Sequence, residues 1–319
     1  MKNKVQKIYM LCLSTLLCLG VCCSCGVQNA DDKVTIICTS FPAYDWVCTL
    51  TDGIPSNGKL EIYWLGGGQD LHFYQPTVDD VVKIQESDLV IAVGGSLDPW
   101  VIDAMPETDG PAVIKMMDVV SDLLLEEEIV EGMEAEEEEE SEEEELDEHV
   151  WLSLSGATRI CAEIENTLLT LFPEDEARLE DNYANYAAEL RMLASDYANV
   201  AENADLHTIL VADRFPFRYL AEEMGLTYYA AFPGCSSETD ASFETVIFLA
   251  DKVNELELDE IFVTEGSKET IARSVLEAAD RNGELLVLNA MQTISTKDGE
   301  TYLSIMKNNL AVLKQALYR

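Results

Sequence analysis

Basic charge is scarce in this sequence: 20 Lys and Arg face 61 Asp and Glu over 319 residues, a formal net charge of -41. Binding a phosphate backbone needs a basic surface, so the balance argues against a nucleic-acid partner. Histidine is scarcer still. With only three, any imidazole metal site must be lean. Seventeen Gly and nine Pro are too few for a fibrous or linker-dominated chain. No HExxH, GxSxG or GxxxxGKS/T occurs, so the signals of a zinc protease, a serine hydrolase and a nucleotide-binding loop are missing. What is present is apolar: a hydrophobic fraction of 48% argues against general disorder, and the length suits about two domains.

The amino end reads as an address. Lys2, Lys4 and Lys7 precede an apolar run from Ile8 to Val21, which is short for a membrane span and fits the core of a secretory signal. Ser24-Cys25 closes it, followed by Gly26 and the polar stretch Gln28-Asn29-Ala30-Asp31-Asp32. This resembles a bacterial lipobox. Residues 1–25 are then a leader, and Cys25 is the lipid-modified residue left after cleavage. Cys22 departs from the aliphatic residue usual at the outer position, and Cys22 or Cys23 is the alternative anchor. Beyond the leader only Cys38, Cys48, Cys161 and Cys235 remain, with no CxxC among them, which argues against a cysteine zinc knuckle. An exported protein can oxidise such cysteines. The sequence leaves open a disulfide, Cys38 with Cys48 being one pairing, or four small buried apolar residues.

From Val34 onward short apolar strands alternate with helical stretches. Strands are expected at 34–37, 60–64 and 89–93, with helices at 42–50 and 77–86 between them. A second series places strands at 208–212, 228–232, 261–264 and 285–288 and helices at 217–224, 242–256, 268–279 and 302–317. Between the series, Leu179, Tyr183, Tyr186, Leu190, Leu193, Tyr197 and Val200 recur at spacings of four and three. That stripe belongs to one helix of about 28 residues, near 40 Å long. The expected fold class is α/β: two lobes, each a mostly parallel sheet flanked by helices, joined by one long rigid helix. The N-terminal lobe covers 26–155, linking helices 156–203 and the C-terminal lobe 204–319. Glu126 to Glu148 holds 16 acids and no Lys or Arg, so dense a block that it is expected to be a disordered, solvated loop. It either serves as a spacer or collects cations weakly beside His149.

Ligands of open parallel sheets bind beyond the carboxyl ends of the strands. The polar residues there, or in the loop just after, are Ser40, His72, Asp213, Glu265 and Asn289. His72 follows Gly66-Gly67-Gly68 and Asp70, so its loop can fold closely around a small ligand. His149 marks the return from the acidic run to Val150-Trp151-Leu152. His207 precedes its strand and reads as an ordinary surface histidine. Imidazole with carboxylate suits zinc, and more oxygen shifts the preference toward manganese.

Several segments carry a family resemblance. Gly68-Gln69-Asp70-Leu71-His72-Phe73-Tyr74-Gln75-Pro76-Thr77 resembles the G-A-D-P-H-D-Y-x-P-T segment of the solute-binding lipoproteins of bacterial zinc and manganese ABC importers, the cluster A-I type. Asp147-Glu148-His149-Val150-Trp151-Leu152 is similar to that family's D-x-H-V-W-L-D-P, with Ser153-Leu154 at its final positions. Thr39 to Asp45 and Glu300 to Leu310 are similar to its first and last motifs. The resemblance covers nearly the whole mature chain. It implies His72 and His149 as metal ligands. Arg214 falls on the third ligand slot, where a guanidinium cannot ligate a cation, so Asp213 beside it is the expected carboxylate ligand. Asn289 falls near the fourth. The implied protein is a lipid-anchored, extracytoplasmic receptor, expected to be monomeric, that captures Zn²⁺, or alternatively Mn²⁺, between its lobes and delivers it to a membrane permease. It is no enzyme. A hydrolase with a two-histidine, one-carboxylate centre and an adhesin with a degenerate metal site are the competing classes.

Overall fold

Alternation along the first strands decides how the sheets are faced. In β1 (Val34–Cys38) Ile36 and Cys38 join one core, while Ile37 points to the other side. The computed structural model describes residues 33–55, 58–106, 108, 110–134, 145–236, 240–294 and 299–319. The leader and Cys25 lie outside the described residues. Val34–Arg319 forms one compact unit.

The N-terminal sheet contains β1, β2 (Leu60–Trp64), β3 (Leu89–Ala92) and β4 (Ala112–Lys115), all parallel in the order β2-β1-β3-β4. Helices α1 (Phe41–Leu50), α2 (Val78–Gln85), α3 (Trp100–Ala104) and α4 (Met116–Val119) accompany it. Ser40 caps α1, with Pro42 in its first turn. A capping box between Thr77 and Asp80 starts α2. The C-terminal sheet repeats the pattern. Its strands are β5 (Thr208–Phe215), β6 (Thr227–Pro233), β7 (Glu260–Thr264) and β8 (Glu284–Leu288), parallel in the order β6-β5-β7-β8. Its helices are α7 (Arg218–Met224), α8 (Phe243–Glu255) and α9 (Thr270–Ala278). Gly225, at φ +62°, stops α7 in the left-handed conformation.

Between the sheets run α5 (Leu154–Leu171) and α6 (Glu176–Glu202), and α10 (Tyr302–Leu317) closes the chain. The stripe on α6 is its packing face: Leu179, Tyr186, Leu190, Leu193, Tyr197 and Val200 are buried, and Tyr183 is half-buried against the same core. α6 touches α1 on one side and α7 on the other, so the long helix braces both lobes as expected. The main core is continuous through it, from Ile36 and Leu89 of the first sheet to Ile209, Val211 and Leu288 of the second. Smaller clusters around Leu210 and around Val90 cover the opposite faces. α10 also returns to the first lobe. Tyr302 donates its backbone N–H to Asp45 at 2.9 Å, and its ring meets Trp46 edge-on at 5.1 Å. A core shared in this way opposes wide swinging of one lobe against the other.

Three differences from the sequence expectations stand out. The stretch 95–125, left unassigned by its pattern, supplies β4, α3 and α4. β5 runs three residues further than expected, through a bulge between Val211 and Arg214. Of the two readings left open for the cysteines, the unpaired one holds: Cys38, Cys48, Cys161 and Cys235 carry free thiols. The acidic segment is ordered at both ends. Glu126 bridges Leu146 in antiparallel fashion, and Asp147 and Glu148 are buried. Counting like charges overlooked the amides waiting for them: Ser96 and Leu97 donate to the Glu148 carboxylate, Cys235 to Glu127 and Ser242 to Glu134. Residues 135–144 lie outside the described residues.

Candidate metal centre

The two histidines are held by the same local device. Asp70 precedes a 3₁₀ turn at Leu71–Phe73. Its Oδ1 accepts the His72 backbone N–H at 3.1 Å and lies 2.6 Å from His72 Nδ1. Asp147 treats His149 alike, at 2.8 Å from the backbone nitrogen and 3.1 Å from Nδ1, and a 3₁₀ turn at Val150–Leu152 follows. Each aspartate thus fixes its ring and leaves the Nε2 lone pair for a cation.

The fold brings these rings together. Their centroids lie 5.6 Å apart with planes 27° from parallel, and His149 also rests edge-on against Trp151. Trp151 donates its indole N–H to the Ala290 carbonyl at 2.8 Å, which ties the His149 turn to the loop after β8. His149 is fully buried, and the His72 side chain is 8% exposed. His72 Nε2 is buried and has no hydrogen-bond partner. Burial, followed by the neighbouring His149 and Arg214, pushes the His72 pKa down, while the Asp70 bond works the other way. The neutral, metal-competent imidazole is therefore favoured.

Two side chains that sequence reasoning passed over complete the group. Cys235 follows β6, and one nitrogen of each imidazole and the Cys235 Sγ all lie within 4.8 Å of one another. Among the described residues it is the one such cluster of three. Gly234 makes the approach possible, since a Cβ there would stand 2.9 Å from the Phe215 carbonyl oxygen and 3.2 Å from His149 Cε1. Burial, together with Glu127, Asp147 and Glu148, pushes the Cys235 thiol far up. Gln292, in the loop after β8, places its Nε2 2.7 Å from His149 Nε2 and 3.5 Å from His72 Nδ1. The strand-end rule that found His72 also covers both residues, had it been carried past β6 and three residues beyond Asn289.

The other expected ligands point elsewhere. Asp213 accepts the Thr264 hydroxyl at 2.9 Å and the Arg214 amide, because the β5 bulge turns it away from the histidines. It lines a separate cavity of about 260 Å³ with Arg214, Glu265 and Lys268. Asn289 Oδ1 accepts the Met291 N–H, and its backbone is pinned to Asn309, so it shapes the turn. Glu265 also positions: it accepts the N–H groups of Ala290, Gln292 and Thr293 and so holds the loop that presents Gln292. Ser40 caps its helix, and the His207 carbonyl accepts from Thr227 at the start of β5. Arg214 binds Asp70 at 2.7 Å. Burial would raise the Asp70 carboxyl, but its bond and charge contact with His72, and then Arg214, hold it well below the usual carboxylate range.

Comparison with known proteins adds to this geometry. The zinc-binding lipoprotein AdcA of Streptococcus pneumoniae is 30% identical over 318 residues, which cover 98% of this chain and 61% of that protein. The chain thus spans about three fifths of the length of that relative. The high-affinity zinc uptake system protein ZnuA of Bacillus subtilis is 26% identical over 316 residues, covering 94% of this chain and 95% of that one. The crystal structure of the Zn(II)-bound ZnuA-like domain of Streptococcus pneumoniae AdcA aligns with a TM-score of 0.70 and 25% identity, over 90% of this chain and 100% of that domain. The family model of zinc-uptake complex component A, periplasmic (ZnuA), matches residues 36–316, and the chain belongs to that family.

Proposed function

We propose that this protein is an extracytoplasmic receptor that captures Zn²⁺ between its lobes and passes it to the permease of an ABC importer. The observation that carries the reading is the meeting of His72 and His149, 77 residues apart in sequence, with their rings 5.6 Å apart and both Nδ1 atoms held by aspartates. Two imidazoles oriented through Nδ1 are a ready-made half of a zinc site. The space beside His72 and Gln292 is about 10 Å³, room for an ion or a water molecule. Manganese suits the site less, because Asp70 and Asp147 spend their oxygens on ring N–H groups instead of offering them to a hard cation. The names of AdcA and ZnuA, which describe zinc binding and zinc uptake in those proteins, support the same cargo here. Cys25 would carry the lipid that anchors a monomeric receptor to the outer face of the cell membrane.

Calorimetric zinc titration of the protein and of its His72→Ala and His149→Ala variants tests the proposal. Each substitution is expected to weaken binding by at least about 100-fold, since it removes one of few ligands. Binding that survives both changes unaltered would put the ion elsewhere.

A further inference from the structure

We propose that Cys235 is a direct metal ligand, so that the receptor holds its cation through a thiolate as well as two imidazoles. The inference rests on the receptor reading above and specifies its ligand set. Its first support is geometric. A cation bound at about 2.0–2.3 Å by nitrogen and sulfur keeps those ligand atoms about 3.4–3.6 Å apart. The two ring nitrogens and Cys235 Sγ lie within 4.8 Å of one another, so a contraction of at most about 1.4 Å closes the group. The second support is the unpartnered Nε2 of His72, in a side chain 8% exposed. A buried polar atom of this kind lacks something to bind.

Charge supplies the third support. The imidazoles are neutral ligands and Gln292 offers an amide. Arg214 is occupied with Asp70, and the carboxylates of Asp70 and Asp147 face ring Nδ1 atoms. Without Cys235, a divalent cation would meet no anionic donor among the described members of the cluster. The thiolate supplies one. Its surroundings are also prepared for a cation, with Glu127 accepting the Cys235 N–H at 2.9 Å. On binding, one metal–sulfur bond forms, the S–H bond breaks, and the proton passes to solvent; no electron is transferred. A set of two nitrogens and one sulfur prefers thiophilic cations such as zinc and cobalt to manganese.

The test compares the full chain with its C235S variant, which share every other cysteine. Cobalt(II) is expected to give a near-ultraviolet thiolate charge-transfer band in the parent that is absent in C235S, and the zinc Kd is expected to rise at least tenfold. Independently of that variant's folding, zinc X-ray absorption on the loaded parent chain should show a sulfur neighbour at about 2.3 Å. Cobalt and zinc binding that is equal in both proteins, without the band and without the sulfur neighbour, would overturn the thiolate and leave the receptor standing. Failure of the parent chain to bind either metal would overturn both.

Discussion

The side-chain amide of Gln292 lies 2.7 Å from Nε2 of His149, on the ring nitrogen that a cation needs. Because Asp147 holds Nδ1, Nε2 is the accepting nitrogen, and the amide donates to it. The amide therefore stands where an ion on that nitrogen would sit. Turned over, it presents its carbonyl oxygen to the same place and becomes a weak neutral ligand. Glu265 sets this arrangement from below, through three backbone N–H groups of the Gln292 loop.

Exchanging that amide for a carboxylate should strengthen the site. In Gln292→Glu the new oxygen stands within reach of His149, and it adds an anionic donor to a cluster otherwise rich in neutral ones. The zinc Kd is expected to fall at least tenfold, about 1.4 kcal/mol, as measured by competition with a chelator. Equal or weaker binding would mean that the residue 292 side chain stays off the ion.

Asp45 gives the fold a pH dependence remote from the metal. Burial pushes its carboxyl from 3.8 up to about 6, and the Tyr302 amide only partly opposes this. A raised native value means that the folded protein holds the proton more tightly than the unfolded chain. The stability it contributes is complete below about pH 3.8 and is lost as the pH rises through about 6. Asp45→Asn keeps an acceptor for Tyr302 and removes the charge. It should raise stability at pH 8 by up to about 3 kcal/mol and leave little difference at pH 3.5. Denaturant unfolding at the two pH values checks this, and an equal effect at both would rule the titration out.

Much of this was legible in the residues, and what was not has local causes. Strands and helices of both lobes follow from apolar alternation, from Thr77 and Ser242 as caps and from Gly225 as a stop, since each of these acts over a few residues. His72 and His149 could be singled out because each stands in a distinctive motif, two residues after an aspartate. Asp213 and Asn289 take other partners, because a strand-end rule fixes a neighbourhood and not an atom. One bulge after Val211 redirects the Asp213 side chain, and the chain needs three more residues after Asn289 to reach the cleft. Cys235 was equally hard to place from sequence. Its proximity to the histidines depends on Gly234 and on contacts made across the sheet order, neither of which any local pattern reports.

The close approach of the lobes at Gly68 allows the sharpest structural prediction. Gly68 has φ +102°, and a Cβ there would stand 2.2 Å from the Ile294 carbonyl oxygen. Its neighbour Gly67 also has a positive φ, +54°, yet a Cβ there meets nothing within 4 Å. Both Gly→Ala substitutions carry the backbone cost of an L-residue in the left-handed region, about 1–2 kcal/mol. Only Gly68→Ala adds a collision with backbone of the opposite lobe, in the loop two residues from Gln292. Relief of that collision must part the two loops and with them His72 and Gln292. Gly68→Ala should therefore weaken zinc binding at least tenfold, while Gly67→Ala should lose a little stability and bind zinc within about twofold of the parent. Calorimetry and thermal unfolding on the pair measure this, and equal zinc affinities in the two variants would mean that the loops yield without disturbing the metal centre.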